Sequence, residues 1–158
     1  MRMNSSTAEL QNILLHAERI REAIELTTFD DRTPNLKRFP QDCCHHACAI
    51  LGIYLAEAGL GIFSKVCGER DSMHHCWLAK DDLIVDITAD QFGESRPTVI
   101  VTRDPTWHKQ WKVKHDSVRY DAEYYVQKTQ QPYMAAAYPK VLARYHELTE
   151  HPDPPPAQ

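Results

Sequence analysis

The chain has 158 residues, 42% of them hydrophobic, with a formal net charge of -4 and an isoelectric point near 6.1. That length and apolar content suit one domain with a single core, and the acidic balance argues against a nucleic-acid-binding surface. No early stretch joins a basic start to an apolar run and a small-residue cleavage site, and none approaches the roughly 18 apolar residues that span a bilayer, so the expected setting is cytoplasmic, with neither membrane nor nucleic acid as partner.

Taken in order, Ser6-Thr7-Ala8-Glu9 has the form of a capping box. Leu10, Ile13, Leu14, Ala17, Ile20 and Ile24 then recur at helical spacing to about Leu26. His16 is read as a surface or boundary residue of that helix, and the polar stretch Thr27 to Arg38 as a loop. Next comes Phe39-Pro40-Gln41-Asp42-Cys43-Cys44-His45-His46-Ala47-Cys48, running on to Ala58-Gly59. Apolar residues at Cys44, Ala47, Cys48, Leu51, Tyr54, Leu55 and Ala58 predict a buried helix of about 16 residues, with Asp42 as its N-cap and Gly59 as its left-handed C-terminal residue. Both Cys43 and Cys44 then fall at the helix start, where unpaired backbone N–H groups and the dipole favour a thiolate over a thiol.

Beyond Gly61, Ile62 to Cys67 reads as a strand and Glu69 to Ser72 as a loop. His74 to Lys80 and Leu83 to Thr88 form a hairpin about Asp81-Asp82, and Thr98 to Thr102, rich in β-branched residues, adds a further strand. Arg103 to Tyr125 mixes Trp107, Trp111 and tyrosines with charges and has no period from which an element can be read. A last helix is predicted from Tyr138 or Pro139, with Pro in the first turn, through Leu148. Residues 1–150 therefore read as a single α+β domain, with a central cysteine helix on a small antiparallel sheet and helices at both ends. Residues 151–158 read as a Pro-rich disordered tail. Five cysteines, an odd number, argue for reduced thiols rather than a disulfide framework. Of these, Cys48, Cys67 and Cys76 are expected as small buried hydrophobes.

A turn centred between Asp81 and Asp82 fixes the hairpin register. Leu78 faces Val85, Trp77 faces Asp86, Cys76 faces Ile87 and His75 faces Thr88. One face gathers Cys76, Leu78, Val85 and Ile87 as an apolar surface for a helix, and the other gathers His75, Trp77, Asp86 and Thr88. His75 and Asp86 become diagonal neighbours at roughly 7–8 Å, a gap their side chains can close with a hydrogen bond. An Asp that orients a His is the base-and-orienter pair of nucleophilic catalysis. With the hairpin beside the central helix, His75 meets Cys44 or Cys43.

The ordered set Asp42-Cys43-Cys44-His45-His46-Ala47, His75-Cys76-Trp77 and Asp86-Ile87-Thr88 resembles the transglutaminase-like and papain-like superfamily of cysteine enzymes. The resemblance covers about Phe39 to Phe92. It implies a helix-plus-antiparallel-sheet fold and a thioester mechanism on amide or ester bonds, with Cys44 attacking, His75 shuttling protons and Asp86 orienting His75. Family members often place Gly ahead of the nucleophile, whereas Gln41-Asp42 precede two adjacent thiols here, so Cys43 stays open as the nucleophile. Cys44 is favoured because small bacterial members resemble Pro-x-x-x-Cys-x-x-Ala, which matches Pro40, Cys44 and Ala47. Gln41 is a candidate oxyanion donor, and Trp77 either walls a substrate cleft or packs. The implied substrate is a peptide, a protein or a small amide, with no cofactor and no metal. Two other readings remain: a non-catalytic interaction protein on the same scaffold, such as a toxin-immunity or regulatory partner, and zinc held by Cys43, Cys44, His45, His46, His74, His75 and Cys76.

Overall fold

The computed structural model describes residues 5–93, 95–120 and 132–150, without the side chains of 115–119. The described residues form an α+β fold of three α-helices and a five-stranded antiparallel sheet. The helices are α1 (Ser5–Leu26), α2 (Cys44–Glu57) and α3 (Pro132–Glu150). The strands are β1 (Ser64–Arg70), β2 (Met73–Lys80), β3 (Leu83–Asp86), β4 (Ile100–Thr102) and β5 (Lys112–Arg119), in the order β4-β3-β2-β1-β5. The β2–β3 register pairs Leu78 with Val85 and Lys80 with Leu83, as the Asp81-Asp82 turn predicts.

The helices cover one sheet face and close the main core on it. Ile13, Ala17, Ile20 and Ile24 of α1, Leu51 and Leu55 of α2, Met134, Tyr138 and Val141 of α3, and Cys76, Leu78, Val85 and Ile87 of the hairpin all belong to that core. Helix α2 is buried all round from Ala47 to Leu55, more deeply than a one-sided stripe requires. Gly52 makes this possible, because a Cβ there would lie 2.2 Å from Cδ2 of Tyr120. A second apolar cluster of Trp77, Ile84, Ala89, Trp107 and Trp111 lies apart from the main core.

Several elements differ from the sequence reading. Asp42 is not the N-cap of α2. Cys43 holds that place without a side-chain cap bond, while Asp42 has φ +54° and pairs with Arg38 at 2.8 Å. Pro139 lies inside α3, and Pro132 is the proline that opens it. Strand β5 falls in the stretch that carried no period, and the β1–β2 turn is at Asp71-Ser72, both at positive φ. Cys67 and Cys76 are not thiols: they are cross-strand partners, 4.2 Å apart at Cα, joined by a disulfide. His16 does take the boundary position expected of it: it is half-buried and shares Nδ1 with the hydroxyls of Tyr54 (2.6 Å) and Tyr145 (3.0 Å), tying together three helices. The proline-rich residues 151–158 lie outside the described residues.

Arg21, buried in α1, fixes the loop that follows β3. It donates to both carboxylate oxygens of Asp90 (2.8 and 2.9 Å) and to the carbonyls of Ile87 (2.6 Å) and Thr98 (2.8 Å). Charge pairing and satisfied carbonyls together offset the desolvation of the guanidinium. No described helix is long and apolar enough to cross a membrane.

Candidate active site

The first turn of α2, the middle of β2 and the end of β3 meet at one place. Cys44 is the first residue of α2, so its backbone N–H has no partner within the helix. Its side chain is 7% exposed and lines a cleft of about 510 Å³ together with Gln41, Asp42, His45, Met73, His74, Gln91 and Phe92. Cys43 is 1% exposed and does not line that cleft. Burial, and then the neighbouring Cys44, push the Cys43 thiol up to about 12. Cys48 is raised well above the ordinary thiol value, chiefly by burial.

His75 and Asp86 are both buried, and His75 Nε2 lies 2.6 Å from Asp86 Oδ2. Burial acts to raise the Asp86 carboxyl, but hydrogen bonds from His108 and then His75 outweigh it and hold the group at about 2. A carboxylate only accepts, so the proton in this contact sits on Nε2 and His75 donates. Burial likewise opposes a charged His75 ring, yet the bond to Asp86 and then the neighbouring Cys44 raise it to about 9. Nδ1, the other ring nitrogen, is buried without a hydrogen bond of ordinary geometry, so the Cys44 interaction is a close approach rather than a formed bond. The other carboxylate oxygen, Oδ1, accepts the backbone N–H of Thr88 at 3.0 Å.

His108 was not legible as part of this group. It sits in a short 3-10 turn (His108–Gln110), is 3% exposed, and places Nε2 2.8 Å from the same Oδ2 of Asp86. Trp77, Phe92, Trp107 and Trp111 surround His75, with ring centroids 5.0 to 5.7 Å away. Trp77 is therefore a packing residue against His75 and His108 and does not line the cleft at Cys44. Gln41 does line it. Gln91 bridges the two halves of the site, donating through Nε2 to the Thr88 carbonyl (2.9 Å) and accepting the Asp42 N–H on Oε1 (3.3 Å).

Gly68 faces His75 across β1 and β2, and a Cβ on it would stand 2.7 Å from Cβ of Trp111. The missing side chain is what admits Trp111 over the imidazole. Gly68→Ala is expected to cost about 1–3 kcal/mol by overpacking and to shift tryptophan emission as Trp111 is displaced. Denaturant unfolding followed by fluorescence checks both, and an unchanged midpoint and spectrum would remove Gly68 from this role.

Two groups bring potential metal-binding atoms within 4.8 Å of one another among the described residues: His75, Asp86 and His108, and His45, Cys67 and Cys76. In the first, the 2.6 and 2.8 Å separations are hydrogen bonds whose protons occupy the space between nitrogen and oxygen. In the second, the sulfurs are bonded to each other, and Cys76 Sγ also meets His45 Nε2 at 3.5 Å. The seven-residue zinc reading is not assembled as a set, because Cys43 is buried away from the cleft and His46 packs edge-on against Tyr133. No known protein family, curated protein or solved structure matches this chain.

Proposed function

We propose that the chain is a cysteine-dependent hydrolase or acyl transferase on a transglutaminase-like or papain-like core, acting on an amide or ester through a thioester. The observation that carries this reading is the cleft-lining Cys44 at a helix start, with the buried His75–Asp86 pair behind it. In the proposed reaction the Cys44 proton already rests on His75 Nδ1, in keeping with the raised imidazole, and the thiolate sulfur forms a bond to the carbonyl carbon. As the carbon–nitrogen or carbon–oxygen bond breaks, the imidazolium returns its proton to the leaving atom. Water or an amine then attacks the thioester, losing its proton to Nδ1, and the Cys44 thiolate departs. The Cys44 N–H, with Gln41 at the cleft wall, is the proposed stabiliser of the oxyanion.

The test is labelling with iodoacetamide near neutral pH, mapped by mass spectrometry on the wild type, Cys43→Ser, Cys44→Ser and His75→Ala. Alkylation is expected at Cys44 about 10-fold or more faster than at Cys43 or Cys48, unchanged in Cys43→Ser and slowed in His75→Ala. Equal, slow alkylation of all three free thiols would instead support the non-catalytic interaction module.

A further inference from the structure

The nucleophilic reading uses one donor to Asp86, yet two imidazoles converge on a single carboxylate oxygen. His108 approaches Oδ2 at 2.8 Å and His75 approaches it at 2.6 Å, while Thr88 N–H takes Oδ1. All three residues of this trio are almost sealed from solvent, at 0% for His75, 2% for Asp86 and 3% for His108. Because the carboxylate is a pure acceptor, His108 must present Nε2–H to it, as His75 does. A surface histidine that merely happened to lie nearby would have no reason to be desolvated in that orientation.

We propose that His108 is a positioning residue for the nucleophilic machinery: its Nε2–H, donated to the oxygen that holds His75, fixes Asp86 and limits how strongly that carboxylate draws on the His75 proton. This rests on the cysteine-enzyme reading. An orienting carboxylate that holds its imidazolium too tightly makes that imidazolium a poor acid toward the leaving group. A second donor on the same oxygen shares its lone pairs and weakens the bond to His75. The nearby ionisable groups are few. Cys44 of α2 and Asp86 of β3 act on His75 directly, and the buried Cys48 of α2 interacts with Asp86. The guanidiniums of Arg70 in β1 and Arg96 lie against tryptophan rings, Arg70 4.5 Å from the Trp111 centroid and Arg96 5.7 Å from that of Trp107.

The rate of Cys44 alkylation by iodoacetamide against pH tests this, because its upper inflection reports loss of the His75 proton. In His108→Phe, which keeps an aromatic volume but no donor, that inflection is expected to rise by roughly one unit. In His108→Gln, whose amide N–H donates again, it is expected to return to the wild-type position. Simple loosening of the site would move it the other way, toward the ordinary histidine value, as Asp86 lost its hold. An inflection that falls or stays in His108→Phe, or a Gln variant that does not hold the wild-type value, overturns the assignment. The Gln variant carries the test alone if the Phe variant does not fold. Failure of the underlying reading looks different: wild-type Cys44 would then show no His75-linked inflection at all.

Discussion

Asp86→Asn is expected to slow acyl transfer at Cys44 by about 10³–10⁴-fold while leaving the fold in place, and Asp86→Ala is expected to cost about 3–5 kcal/mol of stability. Both effects follow from a count of protons. Three donors, from His75, His108 and the Thr88 backbone, converge on two carboxylate oxygens. An amide offers one oxygen and two N–H bonds. If its oxygen stays with the histidines, its NH2 opposes the Thr88 N–H. If the amide turns over, NH2 faces His75, which must then accept on Nε2 and carry its proton on Nδ1, the nitrogen needed to deprotonate Cys44. Alanine leaves all three buried donors without an acceptor. Chemical denaturation measures the stability change, and alkylation or turnover of an activated ester measures the rate. Wild-type reactivity in Asp86→Asn would break the link between the carboxylate and the thiol.

How far this site was readable depends on the range of each contact. The His75–Asp86 pair was legible because a hairpin is local: period-two alternation around Asp81-Asp82 fixes which residues face one another, and the observed register agrees. The same arithmetic about Asp71-Ser72 would have paired Cys67 with Cys76 and pointed to the disulfide. The weakly alternating Ile62 to Cys67 instead places the first strand too early. His108 carried no such signal. Its bond to Asp86 spans 22 residues, and it sits in a short 3-10 turn among tryptophans and charges where neither period applies.

At the start of α2, composition and geometry point to different residues. Asp is a favoured N-cap, but Asp42 has φ +54° and gives its carboxylate to Arg38, so the chain enters α2 one residue later, at Cys43. That shift makes Cys44, rather than Cys43, the first helical residue and the one on the cleft. The α+β class and the helix-on-sheet layering were legible because they rest on long apolar patterns. Starting the last helix at Tyr138 or Pro139 cuts α3 short: a proline within a helix loses its donor and crowds the carbonyl four residues back, yet the packed face of Met134, Ala137, Tyr138 and Val141 carries the helix through.

Stability should fall by about 3 kcal/mol between pH 6.5 and 9, and His75 is the cause. The folded-state value of His75 is raised from 6.5 to about 9, so its contribution is complete below 6.5 and is lost as pH rises through 9. Asp86 works at the other end. Its value is depressed from 3.8 to about 2, so its contribution is present above 3.8 and lost as pH falls through 2. The two share one hydrogen bond, so the arms are not independent sums. Other groups act mostly outside this window. His16, His45 and His46 are shifted downward by burial and make stability rise with pH, mostly below 6.5 and finishing within about one unit above it. The buried Cys43 and Cys48 thiols, raised above 9.0, begin to weaken the fold within about one unit below that pH and do so mostly beyond it. His75→Gln carries the same background groups, so the difference between the denaturant midpoints of the wild type and His75→Gln from pH 6.5 to 9 isolates His75 and decides the matter. The wild type should lose stability relative to His75→Gln across that range, and parallel curves would mean that the imidazole is not held protonated by Asp86.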